Sequence, residues 1–488
     1  MSTQALYNYQ RDGVAWLVDR ENKECEFQNE IMPRGGILAD EVGLGKTRMT
    51  IALCNFNPVK NTLILVPKSI INQWAHEIAK HAPNIKVTVA LEDDFEINTE
   101  SSIHVVLASH SRLNSKGVND VRKTQYSKVE WDRIVIDEAH VLKNKRSKIH
   151  KACACLQAPI KWALTATPVM NKMTDFVYIL EFIGVSQSLC QNYKDEISNL
   201  FIMRRTKEDV NQDMETSLPP LNINIETIPF KTAEEQTLYL EVYNDIREQM
   251  KTMEKYENKN AIQALELLLR IRQVCCNPQS YLDGLAKKEK QSPVVWEFGC
   301  TKVDNIVDKI KSNLSEKHLV FCHFIKEMNS YVSALKAFDI ESYKLDGSMS
   351  VDERSNTVNK FSKNSVQVLI IQMQTGAVGL NLQCANNVYI TSPLWSPAMQ
   401  HQVIGRAHRN GQTKPVNVFI YAMGGENEYD VYIEQYILRL QQRKREIMSE
   451  VLNDVRIKDS GEHMMKDTKI KGDITFTDVF KMFQKKLS

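Results

Sequence analysis

Ile37-Leu38-Ala39-Asp40-Glu41-Val42-Gly43-Leu44-Gly45-Lys46-Thr47 is the stretch on which the reading of this chain turns. A short apolar run gives way to a polar turn holding two glycines, and Met49-Thr50-Ile51-Ala52-Leu53 then opens a helical pattern. That order suits a polyphosphate-binding loop. Backbone N–H groups must face inward, so some positions tolerate no bulky side chain, and the helix N-terminus behind them favours an anion. Lys46 is placed to reach the β- and γ-phosphates and Thr47 to hold Mg2+. The strict form of the pattern has glycine six residues before the lysine, where this chain has Asp40. A plain strand-to-helix turn is the competing reading, and the rest of the chain decides between them.

Working outward, 488 residues predict two or more domains, because single cores rarely grow beyond roughly 250–300 residues. Apolar residues at 43% and charged residues at 25% are ordinary for a globular protein, and the net charge of +2 points to no polybasic tail. Any nucleic-acid surface must therefore come from local arrangement of charge. The 10 cysteines show no recurring C-x-x-C spacing, which argues for buried, reduced thiols rather than zinc ligands. No run of 18 apolar residues and no leader-like apolar segment occurs, so membrane spanning and secretion are not expected.

Strand-like runs at Thr62–Val66, Ile85–Leu91, His104–Ala108, Arg133–Ile136 and Lys161–Leu164 alternate with helical patterns such as Ser69–His81, where Ile70, Ile71, Trp74 and Ile78 recur at helical spacing. Such alternation predicts a parallel, doubly wound sheet over residues 1–185. Residues 186–300 read as a mainly helical insertion and linker, opened by the capping pattern Thr232-Ala233-Glu234-Glu235. Alternation returns at His318–Phe321, Ser342–Leu345, Val366–Ile371, Asn387–Ile390 and Val416–Ile420, giving a second α/β lobe over 301–425. Residues 426–488 read as a helical brace and tail.

Chemistry gathers at three further places. Arg133-Ile134-Val135-Ile136-Asp137-Glu138-Ala139-His140 is an apolar strand running into two acids. Asp137 then falls beside a phosphate-bound metal, and Glu138 where it can polarise an attacking water. Leu164-Thr165-Ala166-Thr167-Pro168 ends the next strand, with hydroxyls able to bond those acids. In the second lobe, Ser396-Pro397 opens a helical pattern in which Gln402, Arg406 and Arg409 would share one face, with Gly405 allowing close approach. Planar, permanently charged guanidinium groups suit phosphoryl oxygens, and an arginine supplied from a separate lobe is worth roughly 10³–10⁵ in rate.

Taken together, the chain resembles an SNF2-family ATPase of helicase superfamily 2 from about residue 4 to 455. Tyr9-Gln10 with Gly13 and Trp16-Leu17 is similar to the family's adenine-side entry, and Asp40 to Thr47 to its D-E-x-G-x-G-K-T loop. The D-E-A-H box is Asp137-Glu138-Ala139-His140, and Thr165-Ala166-Thr167-Pro168 with Asn171 resembles L-T-G-T-P-x-x-N, with alanine for the usual glycine. Arg204-Arg205-Thr206-Lys207, Leu345-Asp346-Gly347-Ser348, Gly379-Leu380-Asn381-Leu382 and His408-Arg409-Asn410-Gly411-Gln412 complete the ordered set. The resemblance implies two RecA-like parallel-sheet lobes and ATP as substrate with Mg2+. Nucleotide contacts are implied at Gln10, Asp40, Glu41, Gly43, Leu44, Gly45, Lys46, Thr47 and Gln402. Lys46, Asp137, Glu138, Arg406 and Arg409 would be catalytic, and Thr47 and Asp137 the metal ligands.

It also implies double-stranded DNA as partner, gripped through backbone phosphates at Pro67, Lys68 and Trp74 in the first lobe and Thr375 and Gly376 in the second, although the apolar stripe on which Trp74 lies favours core packing for that residue. The basic run Lys143-Asn144-Lys145-Arg146 borders the same groove. Such contacts position without reading sequence, so binding is expected to be salt-sensitive and weakly selective. DNA-bound proteins are further expected partners, and the expected location is the nucleus (the host's, for a viral chain) or otherwise inside the cell. A DNA translocase acting in transcription or repair is the reading adopted. A strand-separating helicase and a DNA-bound transcription factor without turnover are its rivals. Ser109-His110-Ser111, where Thr-Tyr is common, and Cys275-Cys276-Asn277-Pro278 depart from the family pattern without touching the ATP residues.

Overall fold

Runs of four to six apolar residues that are buried on both faces need helices above and below, and parallel strands meet that need through helical crossovers. The computed structural model describes residues 6–90, 95, 103–116, 124–169, 172–211, 218–255, 261–363, 365–376, 380–409, 411–425 and 432–452. The chain divides into two compact units, Met1–Ser217 with Lys444–Lys458 and Leu218–Arg443 with Asp459–Ser488.

In the first unit the strands are β1 (Arg34–Leu38), β2 (Asn61–Val66), β3 (Lys86–Val89), β4 (His104–Ser109), β5 (Arg133–Asp137), β6 (Ile160–Leu164) and β7 (Ile202–Met203), in the order β3-β4-β2-β5-β6-β1-β7. Every pairing in this sheet is parallel. Leu63, Ile64, Leu65, Ile134, Val135 and Ile136 are completely buried, as their unbroken apolar runs require. Three helices matter for the site: α1 (Asn8–Asn22), α2 (Lys46–Phe56) and α3 (Ile71–His81). Helix α1 is fastened to the sheet through Glu21. Its carboxylate takes a fork of bonds from the fully buried Arg133 and one from Trp162 Nε1 at 2.8 Å. An ion pair with no solvent contact holds only when its remaining lone pairs are met, and the indole and Asn57 Nδ2 at 2.6 Å meet them.

The second unit holds β8 (Leu221–Ile228), β9 (His318–Cys322), β10 (Ser342–Leu345), β11 (Val368–Gln372), β12 (Asn387–Ile390) and β13 (Val416–Met423), ordered β8-β13-β12-β9-β11-β10 and again parallel throughout. Helices α4 (Ala233–Lys255), α5 (Ala261–Cys276) and α6 (Pro278–Glu289) follow β8. Tyr239, Tyr243 and Ile246 of α4 and Leu268 and Ile271 of α5 share a core with Ile433, Tyr436 and Ile437, which open the helix Ile433–Leu452.

Residues 186–300, read as mainly helical, also supply one strand to each sheet. Strand β8 pairs with β13 over eight residues, from Leu221 opposite Val416 to Ile228 opposite Met423. Its apolar residues alternate with polar ones because it is an edge strand, half in water. The capping pattern at 232–235 is half formed: Thr232 Oγ1 accepts from Glu235 N at 3.2 Å, while the Glu235 carboxylate turns to Thr301. The expected strand end at Leu91 lies outside the described residues. All ten cysteines are free and most are buried. Among the described residues no helix is long and apolar enough to cross a membrane.

Candidate active site

The chain leaves β1 at Leu38 and is caught at once by β7, with Ala39 N donating to Met203 O at 2.7 Å. Gly43 and Gly45 then adopt left-handed backbone (φ +98° and +87°), and α2 starts at Lys46. Gly45 is required twice over. Beyond its positive φ, a Cβ there would stand 2.5 Å from Gln10 Nε2. Gln10 and Tyr9 of α1 both donate to Leu44 O at 3.2 Å, so the adenine-side helix and the loop are one assembly. The first-turn amides of α2 have no acceptor within the helix and remain available to an anion. Lys46 lies back across the loop, its Nζ donating to Asp40 O at 2.6 Å and Glu41 O at 3.3 Å. Burial pushes its pKa down, against the upward pull of Glu138, Asp40, Asp137 and Glu41.

The structure gives Asp40 and Glu41 a different role from the nucleotide contact expected of them. Asp40 is wholly buried; its Oδ1 accepts from Arg205 N at 2.9 Å and Nε at 3.2 Å, and its Oδ2 from NH2 at 2.5 Å. Glu41 accepts from Lys207 N at 2.8 Å and pairs with its Nζ at 3.4 Å. Both acids thus spend their lone pairs holding the loop to the segment after β7. Arg205 also donates to Tyr9 O, and a Cβ on Gly13 would meet its NH2 at 2.7 Å, so it ties loop, α1 and β7 together. The sequence signalled this residue only through its place in Arg204-Arg205-Thr206-Lys207, with no role attached.

At the end of β5, Asp137 is buried. Its Oδ2 accepts from Trp74 Nε1 and its Oδ1 from Glu138 N, both at 2.9 Å. Burial and then the Glu138 charge raise its pKa to about 6, while the Trp74 N–H and Lys46 oppose the rise. Glu138 sits in left-handed backbone (φ 52°, ψ 47°), a conformation that costs a non-glycine residue about 1–2 kcal/mol. Its carboxylate reaches His140 Nδ1 at 3.3 Å. Behind the acids, His110 bonds Leu65 O at 3.1 Å, and burial lowers its pKa to about 4, so it is neutral at pH 7.

Trp74 was expected on the DNA side or in the core. It is core, 1% exposed, but with its one polar atom on Asp137, so the DNA assignment is corrected. Thr165, expected to bond the acids, accepts from Thr167 N at 3.1 Å and donates its own N–H to Leu38 O. Asn171 lies outside the described residues.

In the second unit, α7 (Pro397–Ile404) ends before the two arginines, and the single helical face expected for Gln402, Arg406 and Arg409 does not form. Past Gly405 the chain tightens, with Arg406 N bonding Val403 O at 3.1 Å and Ala407 N bonding Ile404 O at 3.1 Å. The turn is then anchored sideways: Leu382 N donates to Arg406 O at 3.1 Å, and His408 Nε2 meets Pro219 O at 2.9 Å. His408 N still bonds Ile404 O at 3.0 Å, so the segment closes as a tight turn beyond the helix end. Arg409 is half-buried, its pKa lowered by burial alone; its backbone O accepts from Gln412 N at 3.0 Å, while its guanidinium makes no hydrogen bond or ion pair among the described residues. Asn410 and Gly379 lie outside the described residues.

Of the expected DNA contacts, Lys68 is exposed and Pro67 half-buried in the turn directly after β2. Lys143 is half-buried just past the acids, and Lys145 is paired with Glu181 at 2.9 Å. Thr375 is buried, its hydroxyl 3.7 Å from where a Gly347 Cβ would stand, so it faces inward rather than outward; Gly376 closes the short helix Met373–Gly376. For a metal, the described residues contain no group of three or more His, Cys, Asp or Glu side chains. The Thr47 hydroxyl and Asp137 carboxylate are hard oxygen donors. They fit Mg2+, which takes one or two protein ligands and completes its shell with phosphate and water.

Comparison with known proteins identifies the family. Residues 9–280 match the SNF2-related domain and residues 301–411 the helicase conserved C-terminal domain. An uncharacterized ATP-dependent helicase of Mycoplasma pneumoniae is 30% identical over 92% of this chain and 42% of its own length. A putative ATP-dependent helicase/translocase of Bacillus subtilis is 30% identical over 88% of this chain and 48% of its own. A probable global transactivator of Orgyia pseudotsugata multicapsid polyhedrosis virus is 26% identical, covering 92% and 91%. This chain therefore spans under half of the two bacterial relatives but nearly all of the viral one. Among solved structures, a Sulfolobus solfataricus SWI2/SNF2 ATPase core in complex with dsDNA aligns at 26% identity and TM-score 0.40, over 93% of this chain and 94% of that one.

Proposed function

This chain belongs to the SNF2-related family, and on that premise we propose that it hydrolyses ATP to move along duplex DNA or to remodel protein–DNA complexes. The observation that carries the reading is the grouping of Lys46, Asp137 and Glu138 at the carboxyl ends of parallel strands, where open α/β sheets take their ligands.

In that mechanism Lys46 exchanges the Asp40 carbonyl for phosphate oxygens, and the α2 amides and Gly43–Gly45 turn cradle the triphosphate. Mg2+, held by Thr47 and Asp137, neutralises charge on the phosphate oxygens when bound. Glu138 accepts a proton from the attacking water. The bond from the γ-phosphorus to the bridging oxygen breaks as the new P–O bond forms. Arg406 and Arg409 are the candidate arginines for stabilising transition-state charge; the Arg409 guanidinium, with no side-chain partner among the described residues, suits an anion.

Exposed Lys68 and half-buried Lys143 suit contacts to backbone phosphate, which makes binding salt-dependent and nearly blind to sequence. The viral relative of matching length, described as a probable global transactivator, supports a role in transcription. The deciding experiment measures ATP turnover with and without duplex DNA, with Lys46→Ala as the dead control. Displacement of a triplex strand without separation of a tailed duplex is the expected result. Strand separation would favour a helicase, and absent turnover a DNA-bound factor.

A further inference from the structure

We propose that Trp74 is a positioning residue for the metal ligand Asp137: its indole N–H orients the carboxylate that receives Mg2+. This rests on the ATPase reading above. The geometry is specific. Trp74 lies on α3 between Ile71 and Ile78, one helical turn from each, and all three face the sheet. Its ring is 1% exposed and packs in the core that contains Ile64, Val66, Leu107, Val135 and Leu164. A phenylalanine or leucine would fill such a place as well. What only tryptophan adds at this depth is one N–H donor, and it meets Asp137 Oδ2 at 2.9 Å.

Asp137 Oδ1 is fixed by Glu138 N at the same distance, so each oxygen carries one bond from the protein and keeps a lone pair. The carboxylate plane is thereby set before a cation arrives. Neighbours of this kind, which orient a ligand without touching the metal, typically change metal affinity by 10–100-fold when lost. Nothing else on α3 can replace the bond: Ile71 and Ile78 are apolar, and His81 is engaged with Glu77 at 3.2 Å.

The test is Trp74→Phe, which keeps an aromatic core and deletes the donor. Affinity for a fluorescent ADP is measured by titration in EDTA and again across a Mg2+ series. The expected result is unchanged affinity in EDTA and an apparent Mg2+ affinity weaker by about 10–100-fold, with Ile78→Ala as the packing control that leaves the Mg2+ dependence alone. Equal Mg2+ dependence in Trp74→Phe and the unmutated protein would overturn the proposal. A nucleotide affinity indifferent to Mg2+ in the unmutated protein would instead overturn the site reading itself.

Should the variant not fold, the unmutated protein still decides the matter. With 15N-labelled indoles, Mn2+–ADP should broaden one of the six tryptophan N–H resonances strongly. All six left sharp in the presence of bound Mn2+–ADP would overturn the assignment.

Discussion

Arg205→Ala is the substitution from which most can be learned about how the loop is held. It removes the cation from Asp40, which has no solvent contact, and deletes the three side-chain N–H donors that serve the Asp40 carboxylate and the Tyr9 carbonyl. Breaking a buried ion pair from one side costs about 3–5 kcal/mol, because the remaining charge is stranded. For a unit of this size each kcal/mol moves the melting midpoint by about 2–4 °C, so the first unit should melt about 10 °C lower. Asp40→Asn alone should cost less, since the amide oxygen still accepts from Arg205 and the guanidinium left without its counter-charge is partly exposed. In Asp40→Asn with Arg205→Ala the loss should fall short of the sum of the two singles by more than 1 kcal/mol, as directly bonded partners do. Thermal unfolding of the four proteins, followed by near-UV circular dichroism, gives the cycle. Additivity within about 0.5 kcal/mol would refute the clamp. An Asp40→Asn protein that melts like the parent but binds nucleotide poorly would return Asp40 to direct ligand contact.

Three further outcomes are expected. Gly45→Ala places a methyl 2.5 Å from Gln10 Nε2 on backbone at φ +87°, so it should raise the KM for ATP and destabilise the first unit by about 1–3 kcal/mol, read by initial rates and urea unfolding. Arg409→Ala should leave nucleotide binding intact while lowering DNA-stimulated kcat by roughly 10³-fold or more, and a change in KM alone would argue against the finger role. Glu327, buried in the second unit, has its carboxyl raised from 4.5 to about 7 by burial, although backbone N–H groups of His323 and Phe324 oppose the shift. The folded chain therefore binds this proton more tightly than the unfolded one. Its stabilising effect is complete below pH 4.5 and is lost as pH rises through about 7, about 1.4 kcal/mol for each pH unit crossed. Glu327→Gln should flatten that part of the stability profile, and an unchanged slope between pH 5 and 8 in urea titrations would count against it.

What could be read from the linear chain were features whose cause is local. The unbroken burial at Asn387–Ile390 or Arg133–Asp137 reflects cover on two faces, and Gly43-Leu44-Gly45-Lys46-Thr47 reflects backbone that only glycine adopts cheaply. Lys46, Asp137 and Glu138 were legible for the same reason, since each follows its strand within a few residues. The edge strand Leu221–Ile228 carried a legible period of two, yet the long helical patterns after it drew it into a helical block. Tertiary contact alone decided the rest. Asp40 looked like a ligand residue until Arg205, 165 positions away, took both of its oxygens. Trp74 looked like one more apolar position on a helix until Asp137, 63 positions away, was found on its N–H. The helix carrying Gln402 ended before Arg406, where the chain tightens to three-residue bonds and is tied outward to Leu382 and Pro219 as well. A sequence records which groups a residue can offer, but burial leaves a polar group no water to fall back on, and only the folded chain determines which partner satisfies it.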